Sequence, residues 1–523
     1  MSGIATLSIP RRALTVSLTI FSAASALGFQ SARAASCESL ATLTLPDTTI
    51  TLAKLEPAGT FNPPKPSYLF GEPVNDLPAF CRVAAEVKPI KDSDIKLEVW
   101  MPASGWNGKL LGVGNGGWSG EIWYLSMGAA LRRGYATAST DTGHEGGAGD
   151  ASFALGHPEK VIDFGYRAVH EMTVRSKAII AAYYGADALK ESYWNGCSSG
   201  GKQGLKEAQR FPHDYDGIIA GAPANFWTHL SVSGIWIGQA TLENPNSYIP
   251  REKYDVLHQA VLEACDALDG VKDRVLENPK RCHFDPEVLQ CKGGDGPQCL
   301  TPSQVEAAKK IYAGPKNPRT GEQIFPGLEP GSENGWNFFG RGLEPLIVAS
   351  HFKYLVFHDP KWGYRNLNFD SDVALADKLD NGVLNATNPN LNEFFAHGGK
   401  LLLYHGWNDP AIAPQNTINY YESVVEAMGG LSKVQNSMRL FMVPGMSHCD
   451  GGDGPSDFDS IAALEQWVEK GKVPDRIIAA QFAPIPHPGK PDLTRPLCPY
   501  PQVAKYTGSG STDDASNFVC AKE

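Results

Sequence analysis

Short apolar runs, bounded by glycine, proline or charge, recur along this chain and alternate with stretches of helical spacing. Ile95-Lys96-Leu97-Glu98-Val99-Trp100 alternates apolar and polar positions as a half-exposed strand does, whereas Lys109-Leu110-Leu111-Gly112-Val113-Gly114 reads as a buried one. Residues 135–139, 191–195, 216–221, 400–406 and 438–443 are further strand-like runs. Val161, Phe164, Ala168 and Met172 share one face of a predicted helix over 160–184, and 202–210 reads as another. The rhythm predicts an α/β fold with strands and helices in alternation. It breaks off over 225–399, where aromatics, prolines and glycines are dense and strands scarce, and resumes at Lys400. The predicted organisation is a core built from 36–224 and 400–523, with 225–399 inserted as a lid. Residues 37–81 are a proline-rich lead-in, and the tail around Cys498 and Cys520 reads as irregular.

One turn in this pattern carries chemistry. In Trp194-Asn195-Gly196-Cys197-Ser198-Ser199-Gly200-Gly201, the residues Gly196, Ser198 and Gly200 fill Gly-x-Ser-x-Gly between a predicted strand and a predicted helix. That is the setting of a nucleophile elbow, where a tight turn presents a serine hydroxyl at a helix N-terminus. Such a serine needs a base, and the base needs an orienting carboxylate. Asp409 follows the 400–406 run and His448 follows the 438–443 run, each just past the C-terminal end of a predicted strand, where parallel sheets place their sites. His405 and His144 (in Asp141-Thr142-Gly143-His144) compete for the role of base or are structural. Cys197 directly precedes the serine and Cys449 directly follows His448, so a Cys197–Cys449 disulfide would tie the elbow to the histidine loop. Asn115-Gly116-Gly117-Trp118-Ser119-Gly120 is a flexible loop whose N–H groups, at Gly117 rather than Gly116, would complete an oxyanion hole; the alternative is a plain glycine turn.

Composition narrows the setting. At 42% hydrophobic and 20% charged residues the chain is that of a soluble globular protein, and 523 residues suit a large core plus an insertion. Residues 1–35 differ: Arg11 and Arg12, an apolar run from Ala13 to Phe29 and Ala32-Arg33-Ala34 form a predicted export signal. The formal charge is −11, and −14 without that segment's three arginines, which argues against nucleic acid or anionic membrane as a partner. All ten cysteines lie beyond the signal, an even number that favours disulfides in a secreted or periplasmic protein. Spacing predicts the local pairs Cys37–Cys81, Cys265–Cys282, Cys291–Cys299 and Cys498–Cys520. In the insertion, Asp266, Asp269 and Asp273 surround Gly270, a hard-oxygen cluster that suits calcium, a helix cap or a solvated turn equally.

Taken together these motifs resemble the tannase and feruloyl esterase family, over about residues 37–520. The resemblance rests on Cys197-Ser198, the distant Asp409 and His448-Cys449, with Asp141-Thr142-Gly143-His144 and Gly221-Ala222-Pro223-Ala224 as further family wording. It implies an α/β-hydrolase core under a large lid, and a Ser198–His448–Asp409 triad cleaving small esters of aromatic or phenolic acids through an acyl-enzyme. It also implies oxyanion donors at Ser199 and Gly117, and a structural Ca2+ held by Asp266, Asp269 and Asp273 and by the carbonyls of Val271 and Val275. Trp227, Ile412 and Trp336 would wall the substrate pocket, or else belong to the lid core. The family also contains the hydrolase of mono(2-hydroxyethyl) terephthalate; that activity is an alternative, which Ile412 disfavours because the terephthalate enzyme resembles a variant with a bulky aromatic there. A non-catalytic exported binding protein on a hydrolase fold is the alternative of another class.

Overall fold

A computed structural model of the chain describes residues 36–64, 71–242, 244–340, 343–482 and 491–523. The predicted export signal, residues 1–35, lies outside the described residues. Nine strands pair into one sheet: β1 (Thr48–Glu56), β2 (Phe80–Val87), β3 (Ile95–Pro102), β4 (Lys109–Val113), β5 (Ala136–Thr140), β6 (Glu191–Cys197), β7 (Gly217–Gly221), β8 (Lys400–Gly406) and β9 (Met438–Val443). Their order across the sheet is β1-β2-β3-β5-β4-β6-β7-β8-β9. The first three and the β3/β5 pair are antiparallel. From β5 through β9 every pair is parallel. This is the α/β-hydrolase architecture. Parallel strands must be covered on both faces, and the apolar runs show why these segments take those places: every residue of β7, and Leu401 to Gly406 of β8, is buried.

Strand β3 departs from its half-exposed pattern, since only Lys96 of its eight residues reaches partial exposure. Glu98 is buried because its carboxylate is fully occupied: Arg82 donates from Nε at 2.9 Å, Trp100 Nε1 at 2.8 Å and the Tyr124 hydroxyl at 2.9 Å. An alternating polar residue there faces a buried ion pair, not water.

Between Gly221 and Lys400 the described residues contain helices and no strand. The largest are α1 (Trp227–Leu242), α2 (Arg251–Cys265) and α3 (Pro302–Ala313). The last is stopped at its N-terminus by a capping box, Thr301 with Gln304, and by Pro302 at the first helical position. The insertion's apolar core is continuous with the sheet domain, for Trp118, Phe164, Ala411 and Ile412 pack in the same cluster as Trp227, Trp336 and Phe352. The tail is more ordered than its sequence indicated. Ile477–Gln481 pairs with Leu493–Leu497, and Gln502–Tyr506 with Phe518–Lys522. Strands this short carry too few positions for periodicity to register. Arg495, in the first of these sheets, is buried, stacks 3.9 Å over Phe518 and donates to Asp273 of the insertion. The five cysteine pairs form as 37–81, 197–449, 265–282, 291–299 and 498–520.

Candidate active site

Strand β6 ends at Cys197, and Ser198 turns the chain into the helix Ser199–Arg210 with φ +62° and ψ −120°. A non-glycine residue in that conformation is strained, and the surroundings hold it there. The Ser198 N–H donates to Gly221 O at 2.9 Å, while its own carbonyl accepts from Lys202 N at 3.0 Å and Ala224 N at 3.0 Å. Glycine is required next to it: a Cβ on Gly196 would lie 2.5 Å from the Gly200 backbone, and one on Gly201 would lie 2.4 Å from Gly221 O. The 115–120 loop is fastened to the same helix. Gly200 N–H donates to Asn115 O at 2.8 Å, the Ser199 hydroxyl donates to Gly117 O at 2.8 Å, and Gln203 exchanges hydrogen bonds with the Asn115 backbone and side chain. Gly117 sits at φ +53°, where an added Cβ would meet Ala148 O at 2.5 Å. The N–H groups of Ser199, at the start of the helix, and of Gly117 thus belong to two segments clamped edge to edge beside Ser198.

Asp409 and His448 follow β8 and β9, neighbouring parallel strands. His448 Nδ1 donates to Asp409 Oδ2 across 2.7 Å. Asp409 is wholly buried; its Oδ1 accepts the N–H groups of Ala411 at 2.8 Å and Ile412 at 2.9 Å, and Oδ2 also faces His405 Nε2 at 3.0 Å. Burial alone would raise this carboxyl, but the charge of His448 and the bonds from His405 and His448 outweigh it and hold it well below the usual carboxylate range. For His448 burial alone would lower the imidazole, and the charge and hydrogen bond of Asp409 raise it above its ordinary value. The bond between Cys197 and Cys449 spans 252 residues of sequence and brings the two Cα atoms to 5.9 Å. Ser198 and His448 line one chamber of about 50 Å³ together with Gly117, Ser199, Trp227 and Ile412. It adjoins an outer cavity of about 520 Å³, and Phe338, Ile347 and His448 face both.

The sequence model of the family described as tannase and feruloyl esterase matches residues 81–521. This chain belongs to that family. Members are carboxylic ester hydrolases, and so is this protein. It is 42% identical to an uncharacterized esterase of Xanthomonas campestris pv. campestris, over 97% of this chain and 95% of that one. It is 34% identical to the mono(2-hydroxyethyl) terephthalate hydrolase of Piscinibacter sakaiensis, over 85% of each chain. Among solved structures, feruloyl esterase B from Aspergillus oryzae superposes with a TM-score of 0.87 at 30% identity, covering 93% of this chain and 99% of that one.

Within this tannase and feruloyl esterase fold the remaining candidates take distinct places. His405 is buried between Asp409 and Thr417, whose hydroxyl lies 2.7 Å from its Nδ1, so it braces the carboxylate from behind. His144 is buried against Phe153, with ring centroids 3.6 Å apart, and its Nε2 meets Trp118 O at 2.8 Å; burial lowers it to about 4. It supports the 115–120 loop. Trp336 is a correction to the expected pocket. It does not line the chamber: its indole N–H donates to Ser332 Oγ at 2.9 Å and its ring packs edge-on to Tyr312 and Tyr254 in the insertion's core. The chamber's other walls, Leu230, Phe338, Ile347 and Val348, escaped the sequence reading. Phe338, two residues after Trp336, is a large apolar side chain that the structure leaves 44% exposed. Asp266, Asp269 and Asp273 sit together on their turn. Asp266 Oδ1 accepts Arg274 N–H at 2.9 Å, Asp269 Oδ1 accepts Val271 N–H at 2.8 Å, and Asp273 Oδ1 accepts Val275 N–H at 3.1 Å.

The Cys197–Cys449 bond makes a definite contribution to test. Replacing both cysteines by alanine is expected to lower kcat/KM by on the order of 100-fold, the cost of misplacing reacting groups by about 1 Å, with a smaller change in KM. Steady-state kinetics on a chromogenic ester, with circular dichroism to verify folding, checks this; unchanged kcat/KM in a folded double variant would count against it.

Proposed function

We propose that this esterase is an exported serine hydrolase that releases aromatic or phenolic acids from their esters, and that its insertion carries a structural calcium ion. The observation that carries the reading is the 2.7 Å bond from His448 Nδ1 to the buried Asp409, in a protein where Ser198 and His448 share one chamber. Nδ1 bonded to a carboxylate leaves Nε2 as the free base. In the proposed cycle Ser198 Oγ attacks the ester carbonyl as His448 Nε2 takes its proton. The Ser199 and Gly117 N–H groups stabilise the oxyanion, and His448 then protonates the departing alcohol. Water repeats the sequence on the acyl-serine, giving the free acid and restoring Ser198. Trp227, Leu230, Phe338, Ile347, Val348 and Ile412 are among the chamber's walls, a largely apolar lining that suits an aromatic acyl group. Relatives bearing the names feruloyl esterase and mono(2-hydroxyethyl) terephthalate hydrolase support the same class.

Export is supported by the five disulfides, and no helix among the described residues is long and apolar enough to cross a membrane. Calcium is supported by the chemistry of the 266–275 turn. Asp266, Asp269 and Asp273 stand close in sequence on it; burial first, then the charge of Asp273, pushes Asp269 up to about 6. Glu277, half-buried beside them and missed in the sequence, is pushed up to about 8 by desolvation, with Asp269 and Asp273 adding to it. One guanidinium, Arg495, offsets part of this charge. An oxygen-seeking dication held by Asp266, Asp269, Asp273 and the carbonyls of Val271 and Val275 would offset the rest.

Ser198→Ala is expected to lower hydrolysis of a phenolic-acid methyl ester by on the order of 10⁴-fold or more while leaving the circular dichroism spectrum unchanged. Because His448 acts in its neutral form and its pKa is raised, the acid limb of kcat/KM against pH is expected to have its midpoint above the ordinary imidazole value. Substantial activity in Ser198→Ala, or an acid limb displaced below that value, would refute the mechanism. Removing calcium with EGTA is expected to lower Tm by several degrees, about 2–4 °C or more, reversed by calcium and not by magnesium; an unmoved Tm in metal-depleted protein would dismiss the ion.

A further inference from the structure

At the end of the sheet opposite the catalytic face, three side chains outside the proposed chemistry converge. His170 stands on the helix Ala168–Tyr184, Glu207 on the last turns of Ser199–Arg210, and Asp214 in the turn that enters β7. One ligand-capable atom of each lies within 4.8 Å of the others. His170 Nδ1 is 2.6 Å from Asp214 Oδ2. The imidazole is stacked on Phe211, with centroids 3.8 Å apart and planes 10° from parallel, so the nitrogen is held facing the carboxylates.

Glu207 is what ordinary packing leaves unexplained. It is 1% exposed, and among the described residues no donor reaches either of its carboxylate oxygens. The polar group beside it is Asp214, another acceptor. Nearby donors are committed elsewhere: Lys177 Nζ to the backbone carbonyls of His213 and Asp214, and the Tyr215 hydroxyl to Thr173 Oγ1 at 2.6 Å. Two acceptors meet in a buried setting only with something positive between them, a shared proton or a metal ion. An imidazole nitrogen fixed alongside two carboxylates is a transition-metal donor set and not a calcium one.

We propose that His170, Glu207 and Asp214 bind one divalent transition-metal ion, of which zinc is the fitting probe. The ion takes the place of the proton shared by the carboxylates, which leaves to solvent. His170 keeps its ring proton on Nε2 and offers Nδ1; its side chain is 29% exposed, giving the ring room to move the few tenths of an ångström that admit the ion. Bound there, the metal staples Ala168–Tyr184 to the far end of the helix that begins at Ser199. The proposal does not depend on the catalytic mechanism or on the calcium turn.

The test uses the full chain in calcium-saturated buffer, incubated with zinc, desalted, and measured for metal content by mass spectrometry and for Tm by calorimetry. The expected result is one zinc per chain and a rise in Tm of about 2 °C or more. In Glu207→Gln and in His170→Gln, retained zinc falls at least tenfold and the rise in Tm disappears. The His170 variant alters only a partly exposed ring, so it gives a readout even where the buried Glu207 variant folds poorly. Wild-type protein retaining no zinc would overturn the site and leave a proton-sharing carboxylate pair. Zinc retained equally by wild type and His170→Gln would also overturn it.

Discussion

A carboxylate with no access to water sets the terms for the candidate active site of this molecule. Stripping Asp409 of solvent costs several kcal/mol unless that charge is met inside the protein. Two backbone N–H groups meet it at Oδ1, and two imidazoles at Oδ2. Charge-assisted bonds of this kind each contribute about 1.5–3 kcal/mol. Together they favour the ionised form strongly enough to pull it below the usual carboxylate range despite burial. The same four contacts fix the turn after β8 and orient His448, which lines Ser198's chamber.

The insertion is bolted to this centre rather than laid over it. His258, from α2, is buried with Nδ1 2.9 Å from Glu333 and Nε2 3.3 Å from Asp453. Asp453 lies in the loop that follows His448 and accepts from Asn408, the neighbour of Asp409, at 3.2 Å. Tyr312 donates to Glu333 at 2.7 Å, drawing α3 into the network. A shift of the insertion would therefore strand a buried charge. Its apolar core, shared with Trp118 and Ile412, adds a non-directional hold on the same interface.

Much of the centre was legible because its residues carry local signatures. The glycines around Ser198 are forced by backbone approaches of about 2.5 Å, and a sequence records such a demand faithfully. Asp409 and His448 could be found because each closes an apolar strand run, and the adjacent cysteines singled His448 out from His405 and His144. What failed to register depends on partners distant in sequence. Glu98 reads as a solvent-facing position until Arg82, Trp100 and Tyr124 are seen around it. Trp336 reads as pocket wall or lid core until Ser332 and Tyr312 claim it for the core, and nothing in the sequence singles out Phe338, which is found over the chamber. Glu207 resembles any helix glutamate until the fold buries it beside Asp214 and His170.

The central claim is that Ser198, and no other side chain, is made nucleophilic by His448 and its buried partner. Treatment with a fluorophosphonate, followed by peptide mapping by mass spectrometry, tests it most directly. The expected result is one adduct per chain, confined to the peptide containing Ser198, forming in step with loss of esterase activity and absent from His448→Ala on the same timescale. Full inactivation with the adduct on another residue, or undiminished activity with Ser198 stoichiometrically labelled, would contradict it.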